Sequence, residues 1–137
     1  MLSKKTKYGL KALSYLAHQE YQVPVLIADI SSSENISRKF LENILLNLKK
    51  SGFVASKKGK GGGYYLLKPP SEIKISSIIR VLEGPIAMLP CVSLNFYERC
   101  DDCISEDECS LSMLMAEVRD STLKILENKT LSDFNCG

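Results

Sequence analysis

The stretch Ile36-Ser37-Arg38-Lys39-Phe40-Leu41-Glu42-Asn43-Ile44-Leu45-Leu46-Asn47-Leu48-Lys49-Lys50-Ser51-Gly52 decides the fold. Ser37 carries the hydroxyl that suits a helix N-cap, and Phe40, Leu41, Ile44, Leu45 and Leu48 recur at helical spacing. Gly52, just behind Lys49-Lys50-Ser51, suits a left-handed C-terminal stop. The pattern predicts a helix through about residue 50 with one apolar face. A shorter helix is predicted over 26–33, interrupted by the polar turn Ser31-Ser32-Ser33-Glu34-Asn35. Two short helices joined by a polar turn form the skeleton of a helix-turn-helix.

Two strand-like runs follow, 53–58 and 64–68, on either side of Gly59-Lys60-Gly61-Gly62-Gly63. They predict a hairpin with a basic, glycine-rich turn, closed by Pro69-Pro70. The glycine string matches neither a dinucleotide fingerprint nor a Walker loop, and no helix follows it to hold a phosphate. A helix-turn-helix followed at once by a basic hairpin is the order of a winged helix.

Outward from this centre, Ser3 is placed to cap a helix over 3–19 with Leu10, Leu13, Leu16 and Ala17 as its apolar stripe. Lys4, Lys7 and Lys11 are expected on a solvated face. His18, the single histidine, is expected as a charge at the helix C-terminus. Val23-Pro24-Val25 reads as an extended link. A fourth helix is predicted over 76–83, ended by Gly84-Pro85. Residues 85–109 lack periodicity and form a long loop. The last helix is predicted over 110–128, with Leu111, Leu114, Met115, Val118, Thr122 and Ile125 in one stripe and Met113, Leu123 and Leu126 off it. Apolar residues on more than one face predict packing on the chain's own domain and on a second chain. The expected fold is mainly α with a small β-hairpin wing. It comprises a winged helix-turn-helix over 1–84, a cysteine-rich loop over 85–109, and a C-terminal dimerisation helix and tail over 110–137.

The 137 residues are 45% hydrophobic and 25% charged, enough to bury one core. No run approaches the ~18 apolar residues of a membrane span, and no secretory pattern opens the chain. A cytoplasmic protein without a membrane partner is expected. The formal net charge of +2 hides a division. Residues 1–84 hold 14 Lys/Arg against 6 Asp/Glu, and residues 85–137 hold 4 against 10. The basic half contains the helix-turn-helix and the wing.

Duplex DNA is a dense line of negative charge, and a binder needs cations on one surface and donors or acceptors on a helix that enters the major groove. Arg38 can reach guanine or phosphate, and Lys39 adds a cation. Glu42, one turn on, can accept from the cytosine amino group. On the wing, Lys57, Lys58 and Lys60 can reach phosphate or the minor groove, while Gly59 and the Gly61-Gly62-Gly63 backbone allow close approach to the sugar-phosphate chain. The expected partner is a double-stranded DNA operator. No catalytic base, substrate pocket or cofactor fingerprint is legible, so neither enzyme activity nor a small-molecule substrate is expected. A thiol redox enzyme is the alternative of another class.

Cys91, Cys100, Cys103 and Cys109 follow the spacing C-x8-C-x2-C-x5-C. Four thiolates on one short loop can converge on a metal, and soft thiolate suits both zinc and iron–sulfur clusters. Asp101, Asp102, Glu106, Asp107 and Glu108 are not obvious ligands, and their charge opposes thiolate formation, so a metal would have to supply the balancing charge. Free thiols, two disulfides and structural zinc compete with an iron–sulfur cluster (2Fe-2S or 4Fe-4S), and spacing alone does not decide. Cys136 is expected to be a spare thiol.

The sequence resembles the winged-helix bacterial transcription regulators typified by IscR, NsrR and CymR. The resemblance covers nearly the whole chain. It rests on Lys7-Tyr8-Gly9-Leu10-Lys11-Ala12, Ile27-Ala28-Asp29-Ile30, Ile36-Ser37-Arg38-Lys39-Phe40-Leu41-Glu42 and, most specifically, Gly59-Lys60-Gly61-Gly62-Gly63-Tyr64. It implies a homodimer paired through the helix at 110–128, often acting as a repressor. It also implies DNA contacts at Ser37, Lys39, Glu42 and Lys58, and a cluster on the cysteine loop whose state is read out as DNA affinity. The chain departs from the family's ligand patterns. IscR-like proteins place a histidine three residues after the last cysteine, where this chain has Ser112. NsrR-like proteins take an acidic ligand from the partner's first helix, where this chain has Lys7. Cys100 is the extra thiol, and four-cysteine ligation within one chain is expected. All-thiolate ligation favours a lower reduction potential than ligation that includes histidine.

Overall fold

All five predicted helices and both strands form in the computed structural model, which describes residues 2–133. They are α1 (Lys4–Ala17), α2 (Ile27–Glu34), α3 (Arg38–Lys50), β1 (Val54–Lys57), β2 (Gly63–Leu66), α4 (Ile75–Leu82) and α5 (Ser110–Glu127). Short 3-10 turns lie at Pro70–Glu72, Pro90–Val92 and Leu131–Asp133. Boundaries differ from the predicted ones by one or two residues, because frayed ends carry little periodic signal. Cys136 lies outside the described residues.

Local chemistry sets the ends. Ser3 caps α1 by accepting the Thr6 N–H, and Ser37 caps α3 by accepting the Phe40 N–H. The helix α2 runs through the serine cluster that was expected to interrupt it. Its stop is Asn35, in the left-handed region at φ 54°, whose N–H bonds the Ser31 carbonyl. His18 caps α1, and its Nδ1 donates to the Ser14 carbonyl at 2.7 Å.

The core lies where α1, α2, α3 and α4 meet. Leu13, Ile30, Leu41, Ile44, Leu45, Leu48 and Ile78 are fully buried there. The inner face of α3 supplies four of these seven. Gly9 lies at the α1–α4 crossing, where a Cβ would stand 2.3 Å from Leu82 Cδ1 and force that side chain to shift. The two strands pair antiparallel, with Val54 opposite Leu66 and Lys57 opposite Gly63. Val25 adds an isolated bridge to the other side of β2 by exchanging both backbone hydrogen bonds with Tyr64 at 2.8 Å.

The end of α5 folds back on this core. Leu123 is buried and Leu126 half-buried, although neither belongs to the expected stripe. The stripe residues Leu111, Leu114, Val118 and Ile125 are exposed. Two of the three off-stripe residues, Leu123 and Leu126, are therefore the ones that pack at home, while Met113 is exposed. Beyond α5, Lys129 accepts the Ile75 N–H and Leu131 donates to the Ile73 carbonyl, both at 3.0 Å. Leu131 is fully buried in the same core. Sequence periodicity could not find it, because a single apolar residue in a polar tail has no pattern. Leu131→Ala should destabilise the chain by about 2–5 kcal/mol, read as a lowered midpoint in urea with an unchanged slope.

Candidate nucleic-acid interface and cysteine loop

Seating α3 on the core turns its other side outward. Ser37, Arg38, Lys39 and Glu42 are all exposed. The Ser37 hydroxyl is already engaged as a cap, at 3.3 Å from the Phe40 nitrogen. Phe40 meets Tyr8 edge-on, with ring centroids 5.7 Å apart and planes at 83°, which fixes the start of α3 against α1. Lys11 departs from the expected solvated face. Its Nζ donates to the Glu34 carbonyl at 3.0 Å, stands 3.8 Å from the Glu34 carboxylate and lies over the Tyr8 ring. It therefore clamps α1 to the end of α2.

The wing follows directly from α3. Lys49 Nζ donates to Ser56 Oγ at 2.7 Å, tying the end of the helix to β1. Lys57, Lys58, Gly59 and Lys60 are exposed. Among the described residues, none of these lysines, nor Arg38, Lys39 or Glu42, forms an ion pair. Gly63 is required by the fold itself. Its φ is +144°, and a Cβ there would lie 2.3 Å from the Val25 carbonyl oxygen. The glycine string is thus partly an internal requirement of the Val25–Tyr64 bridge.

The loop between α4 and α5 brings the four cysteines to one place. Cys91, Cys100, Cys103 and Cys109 are half-buried free thiols that line a single cavity of about 550 Å³. A hydrogen bond between Cys91 and Cys100, then burial, pushes the Cys100 thiol above its ordinary pKa. Cys109 Sγ accepts the Ser112 N–H at 3.4 Å and caps α5. Glu106 is not a ligand candidate but organises the loop. It accepts the Tyr97 hydroxyl and stands 3.8 Å from Arg99, whose guanidinium donates to the Cys103 carbonyl at 3.3 Å. The Glu106 hydrogen bond holds the Tyr97 proton and raises the phenol's pKa.

Among the described residues, no three His, Cys, Asp or Glu side chains are grouped to hold a single metal ion. The donor chemistry, soft thiolate on one loop, suits either an iron–sulfur cluster or zinc.

Two ties connect the loop to the rest of the chain. At its start, Glu83 accepts the Ser3 N–H, the Ser3 hydroxyl and the Thr6 hydroxyl, each at 2.8 Å, joining the end of α4 to the beginning of α1. Further on, Arg119 of α5 donates to the Val92 carbonyl at 2.7 Å. Sequence reading missed both, since their partners lie 80 and 27 residues apart.

Known proteins share this architecture. A sequence model of the Rrf2 family, described as iron-dependent transcriptional regulators, matches residues 2–136. An rrf2-like HTH-type transcriptional regulator of Rhodobacter capsulatus is 43% identical over 136 residues, covering 97% of this chain and 91% of the relative. The structure of CymR, the global cysteine regulator of B. subtilis, superposes with a TM-score of 0.78 at 32% identity, covering 97% of this chain and 94% of that one. The structure of T. potens IscR superposes with a TM-score of 0.74 at 31% identity, covering 97% and 84%.

The Glu83 clasp makes a pH prediction. Its three donors hold the carboxyl below the ordinary value of 4.5. A depressed folded-state pKa adds stability that is complete above the unfolded value and is lost as pH falls through the folded one. Glu83→Gln should therefore melt below wild type at pH 7, and the gap should close as pH drops below about 4. A gap that stays constant across that titration contradicts the clasp.

Proposed function

This chain belongs to the Rrf2 family, and on that premise we propose that it is a dimeric, cytoplasmic DNA-binding regulator that reads iron–sulfur status, redox state or nitric oxide through its cysteine loop. The observation that carries the reading is the gathering of Cys91, Cys100, Cys103 and Cys109 around one cavity, in the segment that joins the winged module to α5. These four thiolates would hold an iron–sulfur cluster within one chain. When bound, the cluster supplies the positive charge that stabilises the thiolates and a sensitivity to oxidants and nitric oxide that thiols in an acidic loop lack.

The chain's own residues connect the loop to the reading head. The Glu83 clasp fixes where the loop leaves α4, and Arg119 fixes the Pro90–Val92 turn on α5. An ordered loop therefore holds α5 at one angle to α3 and the wing. Leu111, Leu114, Val118 and Ile125 leave an apolar face exposed on α5, which fits pairing with a second copy. Two paired heads suit a near-palindromic operator. At each half-site Arg38, Lys39 and Glu42 face the major groove, with Ser37 at the helix start. Lys57, Lys58, Gly59 and Lys60 lie along the flanking backbone.

Two measurements test this reading. Protein prepared without oxygen should contain iron and sulfide with visible absorbance, and Cys100→Ser should lose most of that iron. Stoichiometric zinc without iron or sulfide sinks the sensor, and full iron in the Cys100→Ser variant removes Cys100 from the ligand set. In gel-shift titrations on the chain's own upstream region, affinity should fall steeply with salt, and Lys58→Ala should lower the log–log slope by about one. A specific complex indifferent to salt contradicts the phosphate contacts.

A further inference from the structure

Position 46 on α3 is out of character with its surroundings. The inner face of the helix is closed by Leu41, Ile44, Leu45 and Leu48, all fully buried. At 100° per residue, the position most directly opposite that face lies between residues 39, 43, 46 and 50. Lys39, Asn43 and Lys50 are polar and exposed, and Leu46 sits among them with 48% of its surface exposed. It lies one turn after Glu42 and one turn before Lys50. A lone exposed leucine usually needs no explanation. This one occupies the middle of the face that the operator reading turns toward the bases, and it is the one large hydrophobic side chain that α3 exposes among the described residues.

The surroundings select the occupant of this face. The exposed cations Lys39 and Lys50, with Lys57, Lys58 and Lys60 on the adjoining wing, complement a polyanion. The dimerisation face lies elsewhere, since α5 packs on α4 and on the Pro90–Val92 turn. Within the major groove, the thymine 5-methyl is the one apolar group that a base pair displays, and it is recognised by apolar side chains.

We propose that Leu46 is a specificity-determining residue whose side chain packs on a thymine 5-methyl, so that each half-site requires an A·T pair at one fixed position. The proposal rests on the operator reading above and adds to it a chemical group on the DNA. Glu42 and Leu46 then divide the work, the carboxylate accepting from a cytosine amino group and the isobutyl group contacting a methyl about one helical turn further along the groove.

The test replaces thymine with deoxyuridine, which deletes the methyl and leaves the base-pair hydrogen bonds unchanged. Sites are first selected by the full-length chain from a random duplex pool. Each thymine of the selected site is then replaced in turn and titrated with wild type, Leu46→Ala and Leu46→Met. At one position per half-site, deoxyuridine should weaken wild type about fourfold, the worth of one methyl group taken out of water. Leu46→Ala should bind the unmodified site more weakly and show no loss at that position. Leu46→Met, which keeps an apolar contact, should retain the loss. Equal affinity of all three proteins for random-sequence duplex checks that the head remains folded. A selected site at which no thymine replacement weakens wild type, or a loss that persists in Leu46→Ala, overturns this inference alone. A chain that selects no site overturns the operator reading together with it.

Discussion

The rest of the molecule depends on the burial of one face of α3. Leu41, Ile44, Leu45 and Leu48 are sealed from water, and at roughly 1.5–3 kcal/mol for each buried aliphatic side chain they anchor the helix more firmly than any polar contact around it. Once that face is fixed, the opposite face is fixed too, because a helix has no freedom to present a different side. The exposed surface of α3 is thus dictated by hydrophobic packing, and its polar residues need contribute nothing to stability. Phe40 against Tyr8 then holds α3 to α1, and Lys11 against Glu34 holds α1 to the end of α2. The wing inherits its place from the same anchor through Lys49 and Ser56.

Much of this was legible because it is local or periodic. The stripe of α3, its serine cap and the strand–glycine–strand order each lie within a few residues of sequence. The cysteine set was legible as composition, and the loop does gather all four thiols at one cavity. The parts that were not legible are non-local. Glu83 meets Ser3 across 80 residues, and Leu131 enters a core whose other members are nearly all contributed by residues 12–82. Lys11 was misread as a solvated lysine because its partner, Glu34, belongs to another helix. The fold's own need for Gly63 went unseen because the Val25 carbonyl that demands it is far away in sequence. On α5 the longest apolar stripe was easy to see, but nothing in its spacing said whether it faces inward, and it faces outward.

Charge follows the same division. The basic residues gather on the helix and hairpin that stay open, and the acidic ones gather on the cysteine loop and α5. The loop's acids are not idle: Glu106 alone joins Tyr97, Arg99 and, through Arg99, the Cys103 backbone. A segment that carries four thiols among carboxylates would otherwise have little reason to stay folded. Val92 and Ser93 are the buried residues of this loop, and much of the rest of it is held by hydrogen bonds.

Leu131 has a consequence for how the protein comes into being. A nascent chain emerges from its N-terminus and folds in units as they become complete. Here the winged module is not complete when its last helix, α4, has been made, because the core still lacks the side chain that fills its edge. That side chain arrives only after the cysteine loop and α5 have been translated. The ribosome therefore does not release a finished reading head ahead of its loop, and every head that reaches full stability already carries its four thiols.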